Sequence, residues 1–156
     1  MDQFLGIALR WFHVIAACVA IGGAVFIRFI LPAGLKLLES EQQKAVYLRC
    51  RRVFKMMVHT CILLLLLSGT YNAIANWQKY KLVMPTSHMF FGLHVLLGLA
   101  VFTISLILLA GKEPPPMHKK WMAVNVVLMM LVVAAASSLK WVRDHAPVVT
   151  PSAQGE

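Results

Sequence analysis

Four long apolar runs divide the chain, and each is of membrane-crossing length. The first extends from about Phe4 to Leu31, where Pro32 and then Gly34 supply ordinary helix-stop chemistry. The second, Val53 to Ala75, contains the block Ile62 to Leu67 and closes at Asn76 and Trp77, which reads as an interfacial anchor. The third, Thr86 to Ala110, ends at Gly111 ahead of Pro114, Pro115 and Pro116, which cannot continue a helix. The fourth, His118 to Val142, closes at Lys140, Trp141 and Arg143. A spanning helix needs about 20 mostly apolar residues, so the pattern predicts an all-α integral membrane protein, a four-helix transmembrane bundle. Residues 1–146 form that single domain, and the small, polar stretch 147–156 reads as a disordered tail. Between the first two runs, Lys36 to Arg52 is charged but carries Leu35, Leu38, Val46 and Leu48, which predicts a helical extension or a surface-lying turn. Gln78 to Ser87, broken at Pro85, reads as a loop.

Composition sharpens this picture. With 60% of its residues apolar and 13% charged, the chain is too greasy for a soluble domain, and four spans leave no room for a separate one. The net charge of +9 could suggest nucleic acid, but the basic residues flank the apolar runs and do not form a patch on a soluble fold. They speak instead for orientation, since Lys and Arg are retained on the cytoplasmic side. Nine of them lie around the two odd-to-even connections (Lys36, Lys44, Arg49, Arg51, Arg52, Lys55, Lys112, Lys119 and Lys120), against five at the opposite side (Arg10, Lys79, Lys81, Lys140 and Arg143). Both termini are therefore expected outside the cytoplasm, in a bacterial-type inner membrane. Asp2 and the length of the first run argue against a cleaved signal peptide. Cys18, Cys50 and Cys61 lack metal-site spacing and are expected as reduced thiols.

An ionisable residue inside a bilayer is costly, so each one is a functional candidate. His13 stands nine residues into the first run and His94 eight into the third, both counted from the same side. At 1.5 Å per residue the two lie roughly 12 to 14 Å below the outer boundary. Imidazoles at equal depth on two helices of a bundle can hold one metal atom between them, as in haem proteins. Ala17 follows His13 by one turn and Gly98 follows His94, with Gly92 nearby, leaving gaps for a flat macrocycle. Arg10, one turn outward of His13, and Lys140 stand where haem propionates would point. The alternative is that both histidines hydrogen-bond neighbouring helices for structure alone. His59 and His118 lie near the inner face, where a second haem is conceivable. Arg28 is at similar depth and could engage loop backbone, lipid phosphate or a propionate. Met84, His88 and Met89 could bind Cu(I) through soft sulfur.

Several of these residues resemble a known group. Trp11-Phe12-His13-Val14-Ile15, then Gly22-Gly23, Phe26 and Arg28, look like the first-helix signature shared by HemJ-type protoporphyrinogen oxidases and the CopD-like copper-resistance membrane proteins. The likeness continues in Arg52-Val53-Phe54, Leu67-Ser68-Gly69, Leu93-His94-Val95, Val124-Asn125 and Leu139-Lys140, so it covers residues 4 to 143 as scattered matches. It implies a haem b-containing four-helix core with His13 as an axial ligand. The chain departs from the HemJ pattern at Leu96, where the family has Lys, and at Val126, where it has an acid, and it lacks the family's extra helix. These departures bear on porphyrinogen oxidation and leave the haem scaffold intact. Three functions follow as expectations: a membrane b-type cytochrome passing electrons to or from a partner protein or quinone, or acting as a HemJ-like oxidoreductase; a CopD-like copper transporter or handling protein; and a small non-catalytic membrane subunit.

Overall fold

A computed structural model describes residues 2–75, 86–111 and 118–145 of the chain. They form α1 (Asp2–Val25), a π-helix (Phe26–Ile30), α2 (Leu31–Leu35), α3 (Ser40–Ala75), α4 (Thr86–Ala110) and α5 (His118–His145). Among the described residues four helical stretches are long and apolar enough to cross a membrane: Phe4–Leu35, Ser40–Ala75, Met89–Ala110 and His118–Trp141. The fold is the all-α four-helix bundle that the four runs predict. The interfacial pair Asn76 and Trp77, the loop up to Pro85 and the tail 147–156 lie outside the described residues.

The first span does not stop at Pro32. Proline has no N–H to donate, and in a regular helix its ring would press on the carbonyl four residues back, here that of Arg28. The backbone widens ahead of it, so that the Leu31 N–H reaches the Phe26 carbonyl five residues back. Pro32 then occupies the opening turn of α2, where a missing donor costs nothing. The helix accordingly passes through the proline and ends at Leu35, four residues beyond the stop expected from sequence.

The Lys36 to Arg52 stretch resolves in the same direction. From Ser40 onward it is the opening part of α3, and only residues 36–39 turn the chain. That turn is held by Leu37 N–H to Gly34 O (3.3 Å), Leu38 N–H to Leu35 O (3.0 Å) and the Gln43 side-chain amide on Leu38 O (2.8 Å). With 36 residues, α3 is about 54 Å long, against roughly 30 Å of hydrocarbon, so its charged start projects from the bilayer.

The short turn at 36–39, the end of α4 and the start of α5 lie at one end of the bundle, the connection end; α1 begins and α5 ends at the other, the terminal end. α1 packs along α3 and α4 along α5, giving two antiparallel hairpins. Contacts between the hairpins are sparser, α1 meeting α5 and α3 meeting α4, while the diagonal pairs α1–α4 and α3–α5 touch marginally at most. In the first hairpin Ala16, Ala20 and Ala24 form a buried stripe at four-residue spacing, and Cys61 of α3 seats against the first two. Small residues let two backbones approach where lipid offers no hydrophobic drive for association. Gly23 carries the closest approach, since a Cβ there would lie 2.6 Å from the Phe54 ring. Outward-facing Ile7, Leu63, Ile107 and Val127 are exposed in the isolated chain, as lipid-facing side chains should be.

Basic side chains cap helix ends at the connection end. The last carbonyls of α4 have no intrahelical donors. Arg51, only 4% exposed, donates to Leu108 O (2.7 Å) and Gly111 O (2.8 Å), and Lys55 Nζ donates to Ala110 O (3.1 Å). Their positive charges also complement the negative end of the α4 dipole. Arg28 donates from Nε to Lys119 O (3.0 Å) and lies 4.8 Å from the centroid of the Phe29 ring. The sequence offers Arg28 loop backbone, lipid phosphate or a propionate; the carbonyl it meets belongs to the first turn of α5 and not to a loop. All three cysteines are free thiols.

Candidate functional site

The terminal half of the bundle holds the two histidines that equal depth had paired. They sit on diagonal helices, His13 on α1 and His94 on α4, so the space between them is the middle of the bundle and not a helix–helix seam. Both are half-buried.

Each ring is anchored through Nδ1 to the partner helix of its own hairpin. His13 Nδ1 lies 2.9 Å from the Ser68 hydroxyl on α3. Ser68 has a single hydroxyl hydrogen, which it gives to the Leu64 carbonyl of its own helix at 2.5 Å. Its oxygen can therefore only accept from the ring, which places the His13 proton on Nδ1. His94 Nδ1 lies 3.2 Å from the Val132 carbonyl on α5, and a carbonyl also only accepts. Both rings are thus anchored at Nδ1, and His13 also hydrogen-bonds the Leu65 backbone.

Among the described residues Ser68 is the most buried polar side chain, 1% exposed, and Asn72 donates to its backbone carbonyl at 2.8 Å. Next to it, Gly69 leaves the His13 ring its place: a Cβ there would lie 3.4 Å from Cε1. A Cβ added at Gly98, one turn from His94, would meet nothing within 4 Å, and exposed Gly92 lies on another side of α4. Ala17 is half-buried, and Arg10 and Lys140 are exposed at the terminal end. No group of three or more His, Cys, Asp or Glu side chains converges among the described residues. Two imidazoles alone are a poor home for a bare zinc ion, which wants three or four protein ligands. Two imidazoles can complete the coordination of a metal whose other four ligands come with a macrocycle.

The remaining histidines are used differently. His59 is exposed and its Nδ1–H donates to Lys55 O of its own helix at 2.6 Å. His118 Nε2 meets the Tyr47 hydroxyl at 2.8 Å, the two rings edge to face with centroids 6.0 Å apart. The structure gives these two rings separate partners. Of the copper candidates, Met89 is exposed, while Met84 and the His88 side chain lie outside the described residues.

Sequence reasoning did not assign Ser68, Gly69 or Val132 to the site. Ser68-Gly69 stands out in retrospect as a polar, small pair directly after a run of five leucines, seven residues from the end of α3 and so near His13 in depth. Val132 contributes only a carbonyl and leaves no side-chain signal. Comparisons with protein-family models, with curated proteins and with solved structures give no match. The likeness to HemJ-type and CopD-like proteins stands on the quoted residues alone.

Proposed function

We propose that the protein is a membrane b-type cytochrome that passes electrons, with one haem b held between the Nε2 atoms of His13 and His94. The observation that carries this reading is the matched anchoring of the two rings, each held through Nδ1 to the partner helix of its own hairpin, on diagonal helices. An Nδ1–H bond to backbone or side-chain oxygen is how metal-binding histidines are held in tautomer and orientation. Haem iron supplies a one-electron couple whose potential follows its axial ligands and the dryness of its pocket. Two histidines from the chain would hold the group and leave no position for oxygen, which would favour electron transfer. Arg10 and Lys140 offer cations at the terminal end for the macrocycle's carboxylates, and Ala17 and Gly98, each one turn from a histidine, would give it room. The electron partner is a redox protein or a quinone in the bilayer. The distribution of Lys and Arg supports an inner-membrane setting with both termini outside the cytoplasm.

One ultraviolet–visible spectrum tests the reading. Detergent-purified protein is expected to show a Soret band that sharpens and shifts on dithionite reduction. A colourless preparation carrying stoichiometric copper would overturn it in favour of copper handling, and one carrying neither would leave a packing subunit.

A further inference from the structure

The connection half of the bundle contains a second polar feature, independent of the histidine pair. Asn125 on α5 is 5% exposed and donates through Nδ2 to the Ser105 hydroxyl on α4 at 2.8 Å. Its other polar atom, Oδ1, is buried with no hydrogen-bond partner. Buried amide oxygens are nearly always satisfied, and an exception calls for an explanation such as a bound water. Asn125 also lines a cavity of about 20 Å³ to which all four spans contribute, among them Ala24, Phe54, Ser105, His118, Met122 and Met129. A water molecule needs roughly 10 to 15 Å³ of such volume and polar partners to bind. The cavity meets both conditions, because the Ser105 hydroxyl and the His118 imidazole are polar groups in an otherwise apolar lining. His118 in turn is bonded to Tyr47 near the connection end.

We propose that this cavity is a hydration site, holding one water molecule that donates to Asn125 Oδ1. The site takes a small neutral hydrogen-bond donor and excludes anything larger. It places water inside the bundle's apolar core, with Tyr47 and His118 as the polar steps between it and the connection end. A proton crossing this half of the bundle would have these groups to move along.

Radiolytic footprinting in nanodiscs tests the proposal. Brief X-ray pulses split bound water in place, and the radicals oxidise side chains beside it. Met122 and Met129 are both buried, 6% exposed each, and line the cavity, so they are expected to be oxidised in the wild-type protein despite their burial. Asn125→Leu fills the space with apolar atoms and removes the acceptor; oxidation of both methionines should be lost, while exposed Met56 reacts as before. Unoxidised Met122 and Met129 in the wild-type protein would overturn the proposal without any variant. Oxidation that persists in a folded variant would overturn it equally, because the radicals would then come from outside.

Discussion

Ser68 holds the Nδ1 side of the His13 ring against α3. Removing its hydroxyl in Ser68→Ala takes that bond from the ring. Losing such a supporting bond typically weakens metal binding by about 10- to 100-fold. Haem titration into the Ser68→Ala protein should show that loss with a low-spin spectrum at saturation, since both axial nitrogens remain. The ligands themselves predict a different pattern. His13→Ala and His94→Ala should each turn low-spin haem high-spin or lose it, and the double variant should be no worse than either single one. His59→Ala should leave the spectrum intact, as that ring is exposed and bonded to its own helix. If His59→Ala abolished the low-spin signal while His94→Ala preserved it, the haem would belong between other helices. His13 and His94 were legible because ionisable rings stand out in apolar runs. Ser68 was not, because a serine in a leucine run reads as bonding back to its own helix, which it also does, and its second partner is 55 residues away in sequence.

Hydropathy located the four spans at the scale of the element, because the bilayer imposes a length that no soluble context imposes. It misplaced the end of the first, since proline's local effect depends on whether the preceding turn can widen, and nothing in Phe26 to Ile30 advertises that it will. The α1–α3 seam yields a prediction. Gly23→Ala adds a methyl group at 2.6 Å from the ring of Phe54, itself buried at 6% exposure. The gain in helix propensity is about 1 kcal/mol, while overpacking costs about 1 to 3 kcal/mol. Unfolding in mixed micelles should therefore show a net loss of stability, relieved by a second change of Phe54→Leu. Arg51 is the corresponding case for α4. Arg51→Met strips two charge-assisted bonds from the carbonyls of Leu108 and Gly111, with an expected cost of about 3 kcal/mol in the same assay. In sequence Arg51 was one of nine basic residues counted for orientation, and its burial at 4% exposure could not be read from that count.

For the whole molecule, orientation is the first matter to test. Ser40→Cys and Ser152→Cys, each in a chain from which Cys18, Cys50 and Cys61 have been removed, can be exposed to a membrane-impermeant thiol reagent on intact cells. Labelling is expected at position 152 and not at position 40; the reverse result would invert the topology. The same scale shows what the sparse contact between hairpins entails. His13 belongs to one hairpin and His94 to the other, and each is tied only to its own half. A metal gripped by both rings would act as a clasp across the molecule's weakest seam, so the affinity for the prosthetic group and the cohesion of the two halves become one quantity. Fragments cut between α3 and α4 should then stay together in detergent when loaded and drift apart when stripped, and a change in the strength of the iron–nitrogen bonds on reduction would be felt as a change in how tightly the protein is closed.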